Sequence, residues 1–233
     1  MRLDKLLAHM NYGSRKEVKE LIRKGFVLVN GEVVYNDDIK VDEENDDIIV
    51  ADQKIEYEKL LYFILNKPDG YVSATYDPFD PIVLDLIPGY ERRGLFPVGR
   101  LDKDTVGLLL VSNDGKMAHR LLSPKNHVTK KYELTFSGTF KNAYYKVFED
   151  GVTLDDGYVC KPAFFELIEE NHAYLTITEG KYHQVKRMME AVGCHVETLK
   201  RVSFGPIDLP LDLKEGSYRP LTKEELDKLL NIE

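Results

Sequence analysis

The chain has little of what disulfide-rich, metal-binding or membrane proteins need. Its two cysteines, Cys160 and Cys194, cannot form a disulfide framework, and no metal-ligand spacing surrounds them. The longest apolar runs are far too short to cross a bilayer. Residues 1–4 begin a helical pattern directly, with no apolar signal core. We therefore expect a cytoplasmic protein with no membrane partner, in which both cysteines are buried small apolar side chains.

Motifs that bind the common cofactors are also absent. The sequence contains no Walker loop, no dinucleotide-binding glycine fingerprint and no His/Cys constellation with metal-ligand spacing. These are the usual sequence signs of nucleotide-driven, dinucleotide-dependent and zinc-dependent proteins. We therefore expect neither a cofactor nor a metal ion.

The net charge of −8 at first argues against a nucleic-acid partner, but its distribution does not. Residues 36–58 hold ten acidic residues and two lysines, which accounts for the whole net charge. Residues 1–25 carry seven bases and three acids. Because local clusters govern the binding of a polyanion, the basic N-terminal segment remains a candidate nucleic-acid surface.

The 233 residues allow a small domain followed by a medium one. Apolar residues at helical spacing predict a first helix over residues 3–10. A capping box at Ser14–Glu17 starts a second helix. Residues 27–34 predict a β-hairpin with an Asn-Gly turn. We place a small domain and its linker at 1–58, and a larger domain at 59–233.

The larger domain mixes strands and helices without strict alternation, which predicts an α+β fold with a largely antiparallel sheet flanked by helices. The predicted strands are 61–66, 108–112, 132–137, 163–168, 174–178 and 196–201. The predicted helices are 116–122, 141–149, 183–192 and 222–230.

One segment, residues 99–115, combines charge with a buried strand. Asp102 lies between two bases, and Gly107 is expected to turn the chain into an apolar run that ends at an Asn-Asp-Gly turn. A carboxylate on a loop that feeds a rigid core strand suits catalysis. Arg-Leu-Asp-Lys also occurs at residues 2–5, and a loop Asp is more often a turn or capping residue, so this tetrapeptide alone is not diagnostic.

Three ordered segments, 99–115, 130–132 and 179–189, together resemble the RsuA branch of the pseudouridine synthases. Segments 66–71 and 216–222 resemble the same branch. Residues 1–34 resemble an S4 RNA-binding module, the small α/β domain that precedes the catalytic domain in this branch.

The resemblance implies a catalytic trio. Asp102 corresponds to the essential acid, Tyr132 to the tyrosine that packs against the target base, and Lys186 to the base that pairs with the acid, with Arg187 as the alternative. A cation near a carboxyl group favours its ionised form. Without this context, Tyr132 would be read as a core aromatic residue and Lys186 as a solvated helix residue.

The resemblance also implies contacts with RNA. In the small domain the candidates are Arg2, Lys5, Ser14, Arg15, Lys16 and Lys19. In the larger domain we add Arg100 and Lys103 for their adjacency to Asp102, Lys131 for its place in a basic run, and His183, Gln184 and Arg187 from segment 179–189. Because stacking shields the target atoms, the nucleotide must be flipped out or met unpaired. Arg100, and with it Lys103, would fill the gap left in the RNA or hold flanking phosphates.

The implied reaction converts one uridine to pseudouridine: uracil leaves C1′, rotates and rejoins through C5. A carboxylate can attack carbon or take a proton from the sugar, and the sequence leaves both routes open. Chain length and the match at residues 1–5 and 216–222 favour 16S rRNA, free or in a small-subunit particle, as the substrate. Nothing in the sequence indicates an enzyme larger than a monomer. The alternatives are a 23S rRNA enzyme and a non-catalytic RNA-binding assembly factor.

Overall fold

The computed structural model describes residues 1–232 and divides into two compact units. The first comprises Met1–Leu61 together with Ile87–Leu95, and the second comprises Tyr62–Leu86 and the chain from Phe96 on. The segment Ile87–Leu95 belongs to the first unit although the sequence analysis assigned it to the larger domain. Its Arg93 is buried, donates to the backbone carbonyl of Glu58 and stacks its guanidinium over the Tyr57 ring.

The first unit contains two helices and, in the part of the chain described, four short strands. The helices are α1 (Leu3–His9) and α2 (Arg15–Arg23), and the strands are β1 (Val27–Val29), β2 (Glu32–Val33), β3 (Ile48–Val50) and β4 (Gln53–Lys54). The strands form an antiparallel sheet in the order β2-β1-β3-β4. The fully buried side chains of Leu3, Leu6 and Leu7 pack one face of α1 into the core.

Two local sequence patterns of this unit, the capping box and the Asn-Gly turn, adopt the structures that they predict. The Ser14 hydroxyl accepts from the Glu17 backbone amide while the Glu17 carboxylate accepts from the Ser14 amide, so the capping box is complete. Asn30 and Gly31 adopt φ angles of 53° and 83° between β1 and β2. These are the left-handed conformations that a tight hairpin turn requires, and the predicted hairpin is confirmed.

The second unit is built on a mixed sheet, for which the described residues supply nine strands. They are β5 (Tyr62–Lys67), β6 (Phe96–Val98), β7 (Val106–Ser112), β8 (Lys130–Ser137), β9 (Phe164–Glu169), β10 (His172–Ile177), β11 (His195–Phe204), β12 (Ile207–Asp208) and β13 (Tyr218–Pro220). The main order is β13-β5-β7-β11-β8-β10-β9. β7 and β11 pair in parallel and the other pairings are antiparallel, which confirms the expected largely antiparallel sheet.

Helices flank this sheet. They are α3 (Gly115–Leu122), α4 (Ala143–Asp150), α5 (Gln184–Ala191) and α6 (Lys223–Leu230). Short 3₁₀ turns occur at Val83–Leu86 and Pro124–Asn126. Met117 and Leu121 of α3 pack on Leu108 and Leu110 of β7, so the apolar run after Asp102 lies in the core. No helix in the described part of the chain is long and apolar enough to span a membrane.

Gly107 lies inside β7 rather than at the turn that the sequence analysis assigned to it. Its φ angle is +98°, and a Cβ atom there would lie 2.4 Å from the backbone oxygen of Arg201 on β11. Glycine is required because the two parallel strands approach closely at this point. Cys160 and Cys194 are buried, as expected.

Candidate active site

Asp102 lies on the loop between β6 and β7 and lines a cleft in the second unit. Its side chain is 30% exposed, and its backbone carbonyl accepts from the Thr105 amide, which closes a tight turn. The cleft is lined by Arg100, Leu101, Asp102, Thr105, Tyr132, Ile177, Gly180, Lys181, His183, Gln184, Val185 and Leu199. Strands, the loop that carries Asp102 and the start of α5 thus contribute to one cleft.

The loop that carries Asp102 is held from two sides. The fully buried Lys67 donates from Nζ to the carbonyls of Lys103 and Thr105, at 2.9 and 2.8 Å, and to its neighbour Pro68. Burial lowers the pKa of Lys67 to about 8. The buried Ser73 hydroxyl donates to the Leu101 carbonyl and accepts from the Leu101 amide. These contacts fix the backbone around Asp102.

The structure brings Lys186 to Asp102, and a second acid, Asp104, contacts the same ammonium. Lys186 lies in the first turn of α5, and its Nζ is 3.7 Å from Asp102 Oδ2. It donates more closely to both oxygens of Asp104, at 2.6 and 2.7 Å. These bonds hold the pKa of Asp104 below its usual value. The sequence analysis missed Asp104, although it stands two residues after Asp102 in the quoted motif.

Tyr132 is placed in the cleft by strand alternation. It lies on β8, is 8% exposed and pairs in register with Arg201 of β11. Lys131 does not reach the cleft, because neighbouring residues on a strand face opposite sides of the sheet. Its Nζ lies 4.0 Å from the centre of the Tyr174 ring. That side of the sheet has a larger cavity of about 340 Å³, which none of the three predicted catalytic residues lines.

Other predicted RNA contacts in the second unit divide into cleft and non-cleft residues. Arg100, His183 and Gln184 line the cleft. His183 Nε2 lies 3.6 Å from Asp102 Oδ1, too far for a hydrogen bond. Lys103 is exposed and donates to Asp80 at 2.6 Å.

Two further candidates serve the protein's own structure. The side chain of Gln184 is buried, and its Nε2 donates to Glu179 at 2.7 Å, so this side chain orders the turn before α5. Arg187 pairs with Asp155 and Asp156, outside the cleft lining.

In the first unit, two of the bases predicted to contact RNA form ion pairs with acids of the same unit. Arg2 pairs with Asp4 and Asp38, and Lys19 donates to Asp37 at 2.9 Å. Ser14 is committed to the helix cap. Exposed bases that form no ion pair with another described residue remain at Lys5, Arg15 and Lys16.

The acids of this unit also form the one described group of carboxylates close enough together to hold a metal ion, Asp4, Asp37 and Asp38. Arg2 and Lys19 already pair with these carboxylates.

Known proteins share both units of this architecture. The sequence model for RNA pseudouridylate synthases matches residues 61–191, and the S4 domain model matches residues 1–48. A Bacillus subtilis protein named as an uncharacterized RNA pseudouridine synthase is 46% identical over 98% of both chains. The ribosomal small subunit pseudouridine synthase A of Escherichia coli is 42% identical, over 97% of this chain and 98% of its own length. A crystal structure of a pseudouridylate synthase, 37% identical, superposes with a TM-score of 0.70 over 98% of this chain and 99% of its own.

The fold and these matches define an RNA-modifying enzyme with an attached RNA-binding domain. The chain belongs to the pseudouridine synthase family, in its RsuA branch, and is therefore an RNA uridine isomerase. The resemblance inferred from the ordered motifs is confirmed.

Proposed function

We propose that the chain isomerises one specific uridine of 16S rRNA to pseudouridine, with Asp102 as the catalytic carboxylate. The observation that carries the chemistry is that Asp102 and Tyr132 line one cleft and that Lys186 Nζ lies 3.7 Å from Asp102 Oδ2. The 16S target is supported by the near full-length similarity to the ribosomal small subunit pseudouridine synthase A of Escherichia coli.

The proposed reaction breaks the N1–C1′ bond, rotates uracil in the cleft and forms the C5–C1′ bond. The proton on C5 is released as the new bond forms, and N1 gains a proton, so the net composition is unchanged. Asp102 supplies the carboxylate that attacks carbon or removes a proton from the sugar. A primary isotope effect from deuterium on the ribose would select the second route, and its absence the first.

Two neighbours of Asp102 have proposed roles. Lys186 places its ammonium 3.7 Å from the Asp102 carboxylate, close enough for the two opposite charges to attract each other. Tyr132 offers its ring to the everted uracil, an interaction worth about 1–3 kcal/mol in comparable sites. Arg100, exposed at the cleft, is the residue we expect to hold the flanking RNA while the nucleotide is out of the stack.

The N-terminal unit has the proposed role of delivering the RNA. Its match to the S4 domain and its exposed Lys5, Arg15 and Lys16 support a phosphate-binding surface. Arg2 and Lys19 contribute less in this proposal, because acids of the same unit already neutralise them. We propose that the enzyme acts as a monomer on free rRNA or on a small-subunit particle.

The test is tritium release from 16S and 23S rRNA transcripts labelled with tritium at C5 of uridine. We expect the wild-type enzyme to release tritium from the 16S transcript, and Asp102→Asn, which keeps the shape but loses the charge, to release none. Asp227→Asn on the exposed face of α6 is the matched control and should act as wild type. Release by Asp102→Asn would refute the role of Asp102, and release from 23S rRNA alone would refute the 16S target.

A further inference from the structure

Tyr182 is an exposed aromatic residue of the second unit whose ring stacks on its neighbour His183. The residue is 77% exposed, although its neighbour His183 lines the cleft. The two rings stack, with centroids 3.9 Å apart and planes inclined by 15°. His183 therefore covers one face of the tyrosine ring and leaves the other face open to solvent.

The turn that carries Tyr182 is held by hydrogen bonds on both sides. The side-chain oxygen of the buried Gln184 accepts from the Lys181 backbone amide at 2.8 Å, and the Gln184 backbone amide donates to the Lys181 carbonyl. Arg187, itself anchored by Asp155, donates to the Tyr182 carbonyl at 3.5 Å. Because this backbone is already ordered, a ligand that stacks on the ring loses little entropy in fixing it.

The stacked pair also lies next to the proposed catalytic group. His183 adopts a left-handed φ of 48°, and its Nε2 lies 3.6 Å from Asp102 Oδ1. When a uridine leaves the stack to reach Asp102, its neighbours in the RNA lose a stacking partner. An exposed aromatic face beside the cleft can replace that partner, because bases of every type stack on aromatic side chains.

We propose that the open face of Tyr182 stacks on a nucleobase adjacent to the target uridine. Tyr182 and His183 then form a stacking platform outside the cleft, separate from Tyr132. The inference rests on the proposed function, because it requires RNA to be bound with its target at Asp102.

A base fits this platform better than a phosphate. The phenol ring is uncharged, whereas phosphates are bound mostly by cations, and Arg100 already supplies one at the cleft. The two tyrosines serve different bases in this arrangement, since Tyr132 is 8% exposed and Tyr182 is 77% exposed.

The absence of tryptophan from the chain permits a direct test. Tyr182→Trp, made in an Asp102→Asn background that stops turnover, introduces one emitter at the platform. We expect a 16S rRNA transcript to quench its fluorescence in a saturable titration, because a stacked base quenches indole emission. Polyphosphate, a polyanion without bases, should not quench it. Phe164→Trp on β9, at a residue 63% exposed, is the matched control and should be insensitive to the transcript.

Affinity gives a second readout. Tyr182→Phe keeps the aromatic face and should bind the transcript within about twofold of wild type, whereas Tyr182→Leu should bind roughly tenfold more weakly. No quenching by the transcript, equal quenching by polyphosphate, or wild-type affinity of Tyr182→Leu would overturn the platform. Tritium release by Asp102→Asn would instead overturn the proposed catalytic role and leave the fluorescence result standing.

Discussion

Lys186 donates hydrogen bonds to both carboxylate oxygens of Asp104, at 2.6 and 2.7 Å. The same ammonium lies 3.7 Å from Asp102 Oδ2, so one lysine serves two carboxylates. The shorter contacts go to Asp104, which therefore fixes where the positive charge lies beside the proposed catalytic acid. Removing this lysine would leave the Asp102 and Asp104 carboxylates without the cation that they share.

The first prediction concerns this charge. Lys186→Met should lower the rate of tritium release at least about 100-fold, which corresponds to roughly 2.7 kcal/mol of lost transition-state stabilisation. Lys186→Arg should retain part of the activity because it keeps the charge. The measurement is kcat/KM on labelled 16S rRNA at neutral pH.

Lys131→Met is the control for charge removal in the same unit. Its ammonium lies over Tyr174 on the other side of the sheet, so we expect activity within about twofold of wild type. Equal losses in the two variants would point to general RNA affinity and contradict a local role for Lys186.

The second prediction concerns the buried Lys67. Lys67→Met removes three hydrogen bonds and leaves the carbonyls of Lys103 and Thr105 without this donor. We expect a loss of about 3 kcal/mol in the free energy of unfolding. Bonds to a charged donor are worth about 1.5–3 kcal/mol each, but the methionine no longer carries the desolvation cost of the buried ammonium, which offsets part of their loss. Denaturant unfolding measures this loss, and an unchanged midpoint would contradict the role assigned to Lys67.

Lys67 and Lys186 show which features of the site could be predicted from sequence and which could not. Lys186 and Asp102 were predicted because both lie in contiguous motifs that resemble the RsuA branch, and the motif of Asp102 also runs into a strongly apolar strand. The bonds of Lys67 join residues 36 and 38 positions apart, and those from Lys186 to Asp104 span 82 positions. Contacts between distant segments depend on the folded topology, so residue spacing alone did not indicate them.

Side-chain direction was the other missing information. The prediction of strand β8 was right in extent to within two residues, but Lys131 and Tyr132 were both assigned to RNA although adjacent strand residues face opposite sides. Strands β6, β12 and β13 were missed because two or three residues are too few to show alternation. The longer strands and all four helices of the second unit were predicted because their apolar periodicity and caps are local.

The third prediction compares two glycines. Gly107→Ala should destabilise the protein by about 3 kcal/mol or more, because the new Cβ would lie 2.4 Å from the Arg201 oxygen and φ is +98°. Gly115→Ala, at the first position of α3, has open space around the new atom and should be neutral or stabilising. Thermal unfolding of both variants checks this, and similar melting temperatures would contradict it.

The fourth prediction tests the N-terminal unit. The double variant Arg15→Ala with Lys16→Ala should weaken rRNA binding and reduce the slope of log K against log salt by about 1–2. The reason is that each phosphate contact releases bound counterions, and both side chains are exposed. Filter binding across a salt series measures the slope.

Lys54→Ala is the control, because Lys54 pairs with Asp47 at 2.8 Å and should leave the slope unchanged. An equal effect of the control would indicate a diffuse charge effect rather than a surface centred on α2.

The fifth prediction concerns stability at low pH. Arg219 donates two hydrogen bonds to Glu225, each 2.7 Å long, and lowers the pKa of Glu225 from 4.5 to about 2. The unfolded chain therefore takes up this proton first as the pH falls, so the stabilisation is complete above pH 4.5 and is lost between pH 4.5 and 2. We expect this pair to contribute on the order of 2 kcal/mol at pH 7, after allowing for its partial exposure.

Arg219→Met should lose that amount at pH 7 and converge with wild type near pH 2, as measured by denaturant unfolding at pH 7, 4 and 2.5. Glu224→Gln, at a neighbouring exposed acid, should follow wild type throughout. A constant difference between Arg219→Met and wild type at all three pH values would show that packing of the arginine, rather than its ion pair, is what the variant removes.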